Sequence, residues 1–368
     1  MRKSIIGGLL AAALLTCTAA TPAAADPELG LPRPTGPRPV GVTTLQLVDS
    51  SRTDPWVPAS GARRLMVSLW YPASAAGGTR AAYMTPQESA LLLKGEGITT
   101  VAPDTLSRTR TDAYTDATPT RGRHPLVVLS PGFSLPRSSL TSLGEDLASR
   151  GYAVAAVDHT YENFGETFPD GHTTTCVVCE ADQTPALARK LAAGRAADVS
   201  FVLDRLTGPH PVWKGGVSSS RIGMAGHSLG GDSTAVTMAA DRRVRAGIDM
   251  DGTINTPVTR LSRPFLLMGT AAGHTPSSKD ATWNDAWRHL TGWRRWITVA
   301  GTQHSSFTDL HPLADELGLA FGADISGTRA VQITRAYVGA FFDRHLRHRT
   351  EPLLDGPSPA YPEVTFWN

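Results

Sequence analysis

Cysteine is scarce in this chain: three residues in 368, at positions 17, 176 and 179. That excludes a scaffold stapled by many disulfides, and a thiolate zinc centre on Cys176 and Cys179 would need two further ligands. Charge of one sign is also missing. The formal net charge is +2, and without Arg2 and Lys3 the 35 basic residues fall level with the 33 acidic ones. A nucleic-acid footprint needs clustered positive charge, so no nucleic-acid partner follows. Beyond Leu15 there is no apolar run of about 18 residues, the length a membrane-spanning helix requires. Stable membrane insertion is not expected. Internal repeats and interdomain linkers are absent as well, which excludes a solenoid or a string of modules.

What is present begins with residues 1–25, which read as an export signal: Arg2 and Lys3, the apolar run Ile5 to Leu15, then Ala23-Ala24-Ala25. The mature chain is expected to start near Asp26 and to be secreted. Lipidation at Cys17 is the competing reading, but Thr16 stands where lipoprotein signals usually carry a small residue. Residues 26–368 suffice for one large α/β domain. In an oxidising compartment Cys176 and Cys179 are expected to pair as a structural disulfide across Cys-Val-Val-Cys. A redox CxxC sits at a helix start, and Thr173-Thr174-Thr175 offers none.

After a proline-rich leader, Thr43 to Val48 and Arg64 to Tyr71 read as two antiparallel strands. Residues 73–123 are rich in Ala, Thr, Gly and Arg, with one helix announced by the capping-box spacing of Thr85-Pro86-Gln87-Glu88. This stretch is either a lid or wall bordering a site, or a surface excursion. The regular part begins at His124 to Ser130, an apolar run of the kind buried on both faces of a parallel sheet. Helix Ser138 to Arg150, strand Tyr152 to Val157, a long helix from Thr184-Pro185 to Leu206, and strands Val244 to Met250, Pro264 to Gly269 and Arg295 to Val299 follow. A Trp-rich helical stretch lies at Trp283 to Leu290, and a last helix at Arg329 to Arg347. Alternating strands and helices argue for one mostly parallel, doubly wound sheet with antiparallel N-terminal strands.

Within that alternation, Arg221 to Gly231 is an apolar strand ending in Gly226-His227-Ser228-Leu229-Gly230 and passing into a helix. A serine on a sharp strand-to-helix turn needs small neighbours, and Gly226 and Gly230 supply them. The turn puts the Leu229 N–H at a helix start, where it can face a developing oxyanion. Such a serine needs a base, usually histidine, and the histidine needs a carboxylate. Six histidines follow Ser228: His274, His289, His304, His311, His345 and His348. His345 and His348 lie among arginines and read as a solvated basic face, and His289 lies inside a helix. His304 stands just past the carboxyl end of a strand, the edge where ligand chemistry gathers in open α/β sheets. For the acid, Asp251 at the end of strand Val244 to Met250 is preferred, with Asp280 as the rival. A second oxyanion amide is expected from Phe133 in the turn Ser130-Pro131-Gly132-Phe133-Ser134, since Pro131 has no N–H; its ring would wall an acyl pocket.

Leu129 to Phe133, Leu147 to His159, the serine turn, Gly247 to Asp251 and Ile297 to His304 resemble the platelet-activating factor acetylhydrolase (isoform II) family over about Pro125 to Asp309. The resemblance implies an α/β-hydrolase fold that cleaves carboxyl esters without metal or cofactor. It also implies nucleophile Ser228, acid Asp251, base His304, and oxyanion amides at Phe133 and Leu229. Eukaryotic members carry a bulky aromatic shortly after the acid, where this chain has Gly252-Thr253. Secreted bacterial lipases and polyester-cleaving esterases share the same constellation. The expectation is therefore a secreted serine carboxylester hydrolase acting on a small-molecule or lipid ester, with transient contact at a lipid interface. Alternatives are a polyester or cutin-type esterase, an acyltransferase using the same acyl-enzyme and, least supported, a non-catalytic binding protein on this fold.

Overall fold

The computed structural model describes residues 29–367. The expected export signal, residues 1–25, and Cys17 lie outside the described residues. The elements run β1 (Val40–Thr53), β2 (Ala62–Pro72), α1 (Pro86–Gly95), β3 (Tyr114–Thr115), β4 (His124–Ser130), α2 (Thr141–Ser149), β5 (Ala153–Val157), and the short β6 (Glu166–Thr167) and β7 (Thr173–Thr174). Then come α3 (Pro185–Thr207), β8 (Val217–His227), α4 (Leu229–Ala240), β9 (Val244–Met250), β10 (Phe265–Thr270), α5 (Thr282–His289), β11 (Arg294–Val299), α6 (Leu310–Glu316), α7 (Gly327–Arg347) and β12 (Val364–Trp367).

Ten strands form one sheet in the order β12-β11-β10-β9-β8-β4-β5-β2-β1-β3. The six from β11 to β5 are parallel; β2 joins β5 antiparallel and β1 joins β2 antiparallel, as the sequence pattern predicts. Two edges went unread in the sequence. The C-terminal strand β12 closes one side antiparallel to β11, and β3 lies parallel to β1 on the other. This is the α/β-hydrolase architecture, with its antiparallel N-terminal strands.

Both faces of the sheet are buried, and β4 shows why an unbroken apolar run was needed. Val127 and Leu129 point into one layer with Leu143, Leu147, Tyr337, Phe341 and Phe342 from α2 and α7. Leu126 and Val128 point into the other with Val199, Val202, Leu203, Met238 and Trp283 from α3, α4 and α5. Each such side chain, fully removed from water, contributes about 1.5–3 kcal/mol before entropy is counted.

The helix expected from Ser138 starts later. Ser139 and Thr141 turn their hydroxyls onto the carbonyls of Pro136 and Ser138, and residues Arg137–Leu140 tighten into a 3-10 turn before α2 begins. The capping box at Thr85 is present, with Glu88 N–H donating to Thr85 Oγ1 and Thr85 N–H to Glu88 Oε2. Stretch 73–123 adds strand β3 to the sheet edge. Its Tyr83, Met84, Leu92, Leu93 and Leu106 pack with Leu29, Leu31, Leu135 and Leu313.

Chain order moves from β4 outward to β5 and then returns to the far side of β4 with β8. The carboxyl ends of β4 and β8 therefore flank the point where the winding reverses, and crevices form there in open α/β sheets.

Candidate active site

Strand β8 ends at His227, Ser228 adopts φ 54° and ψ −123°, and α4 begins at Leu229. Two glycines make this turn possible. A Cβ on Gly226 would stand 2.0 Å from the Gly230 backbone, and one on Gly230 would stand 2.0 Å from the Ser130 carbonyl oxygen. Gly230→Ala is expected to cost about 3 kcal/mol of stability, at the upper end of ordinary overpacking. It would appear as a lower urea midpoint at unchanged slope, and an unchanged midpoint would show that α4 can draw away from β4 freely.

Ser228 opens into a groove of about 290 Å³ that it shares with Asp251 and His304. Phe133, Leu191, Leu229 and Ala188 give this groove apolar wall, and Gln183, Thr253 and Asn255 give it polar wall. No residue of 73–123 lines it. That stretch borders a separate cavity of about 340 Å³ beside Arg137, and the groove's walls include the segment around Gln183 to Leu191 and the loop after Asp251.

Asp251 follows β9 directly and is held at φ 58°. Ser228 also has positive φ, so two of the six such non-glycine residues among the described ones line this groove, and a third, Ser134, follows the groove residue Phe133. Strain of this kind persists only where neighbours over-determine it. Here Ser228 N–H donates to the Met250 carbonyl at 2.9 Å and Asp251 N–H to the Met268 carbonyl at 2.9 Å.

The Asp251 carboxylate is 4% exposed and fully engaged. Its Oδ2 accepts from His304 Nδ1 at 2.6 Å, and its Oδ1 accepts from Thr270 N–H at 2.6 Å and from His274 Nδ1 at 2.8 Å. A carboxylate only accepts, so Nδ1 of His304 carries the proton and Nε2 is left as a lone-pair base. Burial alone would raise the Asp251 carboxyl, but the hydrogen bonds and charges of His274 and His304 outweigh it and hold it well below the usual range. His304 is half exposed, and no hydrogen bond joins it to the Ser228 hydroxyl in this structure.

Phe133 and Leu229 line the groove beside Ser228, supplied by the turn after β4 and by the first residue of α4. An N–H in the first turn of a helix has no partner within the helix. The Phe133 turn is fixed from below: Arg195 Nη1 donates to the Pro131 carbonyl at 2.6 Å, and Ser134 N–H donates to the Glu162 carbonyl at 2.9 Å. Val178, between Cys176 and Cys179, packs with Leu191, Ala192 and Leu229. The two cysteine sulfurs stand at disulfide distance, with Cα atoms 5.3 Å apart.

The rival acid, Asp280, does not meet His304. It accepts from Thr253 Oγ1, Thr282 N–H and Thr282 Oγ1, and it faces His274 Nε2 at 3.4 Å. His289, expected inside a helix, is the last residue of α5. The solvated reading of His345 is corrected: its ring packs on Trp293 and Phe341, and burial pushes it down to about 4. His348, with φ 57°, is exposed beyond α7.

Two site histidines were missed. His227, inside the serine motif, is buried, donates from Nε2 to the His304 carbonyl at 2.8 Å, and is pushed down to about 3 by burial and the nearby His304. It pins the backbone of His304. His274 lies four residues past β10, and the strand-end position that singled out His304 applied equally to it.

A second Ser-His-Asp constellation is also present. Ser130 Oγ lies 3.0 Å from His159 Nε2, and His159 Nδ1 lies 3.0 Å from Asp198 Oδ2. All three are buried, with Arg63 on Asp198, so this set braces the end of β4 away from any substrate.

The sequence model of platelet-activating factor acetylhydrolase, isoform II, matches residues 23–168 and 197–352. The chain belongs to this family. A probable 1-alkyl-2-acetylglycerophosphocholine esterase of Arthroderma benhamiae is 28% identical over 264 residues, 66% of this chain and 66% of that one. A bis(hydroxyethyl) terephthalate hydrolase of Streptomyces coelicolor is 31% identical over 144 residues, 39% of this chain and 38% of that one. The chain thus spans about two thirds or less of these two relatives. A solved ferulic acid esterase from Streptomyces cinnamoneus matches at 44% identity with a TM-score of 0.83, covering 93% of this chain and all of that one. By family and by this full-length likeness, the chain is a carboxylic ester hydrolase.

Proposed function

We propose that this family member is an exported serine esterase working through Ser228, His304 and Asp251. Ser228 Oγ adds to the ester carbonyl carbon as its proton passes to His304 Nε2. The carbonyl oxygen, now an oxyanion, accepts from Phe133 N–H and Leu229 N–H. Collapse breaks the carbon–alkoxy bond, and His304 returns the proton to the departing alcohol. Water then repeats the sequence on the acyl-enzyme, giving the acid and free Ser228. The observation that carries this reading is the 2.6 Å bond from His304 Nδ1 to Asp251 Oδ2, made in the same groove that Ser228 enters.

Hydrolysis is favoured over acyl transfer because the His304 side chain is 53% exposed and the groove is open to water. For substrate we infer a compact ester with an aromatic acyl group of the ferulate kind. The full-length relative is a ferulic acid esterase, and Phe133, Leu191 and Leu229 give such a ring an apolar wall while Thr253, Asn255 and Gln183 give its polar substituents partners. Export would also oxidise Cys176 and Cys179 to the disulfide their distance allows.

The test uses a fluorophosphonate probe and an ester panel. Ser228 is expected to carry the label, and ethyl ferulate and short p-nitrophenyl esters are expected to turn over faster than an acetylated ether phospholipid or a long-chain triglyceride. A label on any other residue would overturn the site. A phospholipid preference would overturn the substrate class.

A further inference from the structure

We propose that His274 is a positioning residue for the reaction: as an imidazolium between Asp251 and Asp280, it fixes the carboxylate that orients His304 and limits that carboxylate's negative charge. The inference rests on the site reading above, and it starts from geometry that neither the family likeness nor the sequence motif assigns.

Both nitrogens of His274 face carboxylate oxygens. Nδ1 donates to Asp251 Oδ1 at 2.8 Å, and Nε2 stands 3.4 Å from Asp280 Oδ2. A neutral ring with its proton on Nδ1 would present the Nε2 lone pair to a carboxylate, a repulsive arrangement; the doubly protonated ring suits both neighbours. The ring also stacks on Trp283, with centroids 4.1 Å apart, which favours a cation over the indole face. Every element packed around it contributes to the balance. Asp251 and buried Asp249 come from β9 and its end, Asp280 from the turn before α5, and Trp283 from α5 itself. From β11, Trp296 Nε1 donates to the His274 carbonyl at 2.7 Å. Burial works against the charge on His274, but hydrogen bonding to Asp251 and Asp280 and the charges of Asp251 and Asp249 prevail and push it up to about 9.

Two consequences follow for His304. Asp251 Oδ1 is occupied by His274 and Thr270, so the carboxylate cannot rotate and Oδ2 stays on His304 Nδ1. The cation also partly cancels the charge that would otherwise stabilise protonated His304. With His274 neutral, Asp251 and Asp280 would together present two uncompensated negative charges. The base would then hold its proton to higher pH, and the acidic limb of the kcat/KM–pH profile would move upward.

The experiment compares His274→Asn, which keeps a donor near Nδ1 and loses the charge, with His274→Ala, which loses both. The acidic limb is expected to rise by about half a pH unit or more in both. At the alkaline plateau kcat is expected to fall about tenfold or more in His274→Ala, a misplacement effect, and to recover most of that loss in His274→Asn. If His274→Ala does not fold, the shifted limb and retained plateau of His274→Asn carry the test. An acidic limb that stays at the wild-type pH in a folded His274→Asn overturns the proposal, as does an Asn variant no better than a folded Ala variant at the plateau. His304→Ala separates the two readings. If it keeps wild-type turnover, the site reading falls; if it is inactive while the His274 variants show no shift, only this inference falls.

Discussion

Ser228→Ala is expected to lower kcat by about 10⁴-fold or more, equivalent to about 5.5 kcal/mol of lost transition-state stabilisation, and to leave folding nearly unchanged. The magnitude follows from what remains. The variant keeps the two amides and the groove, but no atom can form the acyl bond, so hydrolysis must proceed by direct attack of water. The small structural cost follows from the turn. Ser228 holds φ 54° through its backbone, with its N–H on the Met250 carbonyl and its own carbonyl accepting from Gly231 and Asp232, and alanine preserves all three bonds. Ester turnover and thermal unfolding measured on the same preparation check both halves. Retained turnover in a folded Ser228→Ala protein would remove the serine from the chemistry.

Asp251→Asn has a similarly large expected effect for a different reason. Two donors already point at Oδ1, Thr270 N–H and His274 Nδ1. An asparagine must therefore place its oxygen there and its NH₂ toward His304. That NH₂ would donate to His304 Nδ1 and drive the ring's proton onto Nε2, leaving no lone pair to take the proton of Ser228. A loss of about 10³–10⁴-fold in kcat is expected, the size associated with a wrong histidine tautomer. Asp280→Asn should lose far less, because Asp280 reaches the base only through His274. The two variants assayed side by side decide which carboxylate is the acid: a greater loss in Asp280→Asn would exclude Asp251.

Much of this arrangement was legible in the sequence because it follows from local rules. An unbroken apolar run such as Leu126 to Leu129 reads as a strand covered on both faces, and a glycine pair around a serine between strand and helix reads as a strained turn. The carboxyl-end position of His304 and Asp251 follows from strand boundaries alone. What stayed hidden depends on long-range placement. Nothing local marks Asp251 as left-handed, and nothing local says that Ser130, His159 and Asp198 form the buried serine-histidine-aspartate set while Ser228 forms the open one. His274 was visible by the rule that found His304, yet its role comes from Asp280 on the next turn, which sequence spacing cannot place. Stretch 73–123, with its mixed small residues, gave no face to orient.

The winding order of the sheet has a consequence for the newborn chain. Ser228 lies at the end of β8, but His304, its proposed base, waits on the loop after β11, which settles only when that strand has paired with β10. A polypeptide made from its N-terminus thus carries an idle Ser228 from its addition until at least His304 has followed and β11 has paired. The proposed triad is complete only when the far side of the sheet is in place.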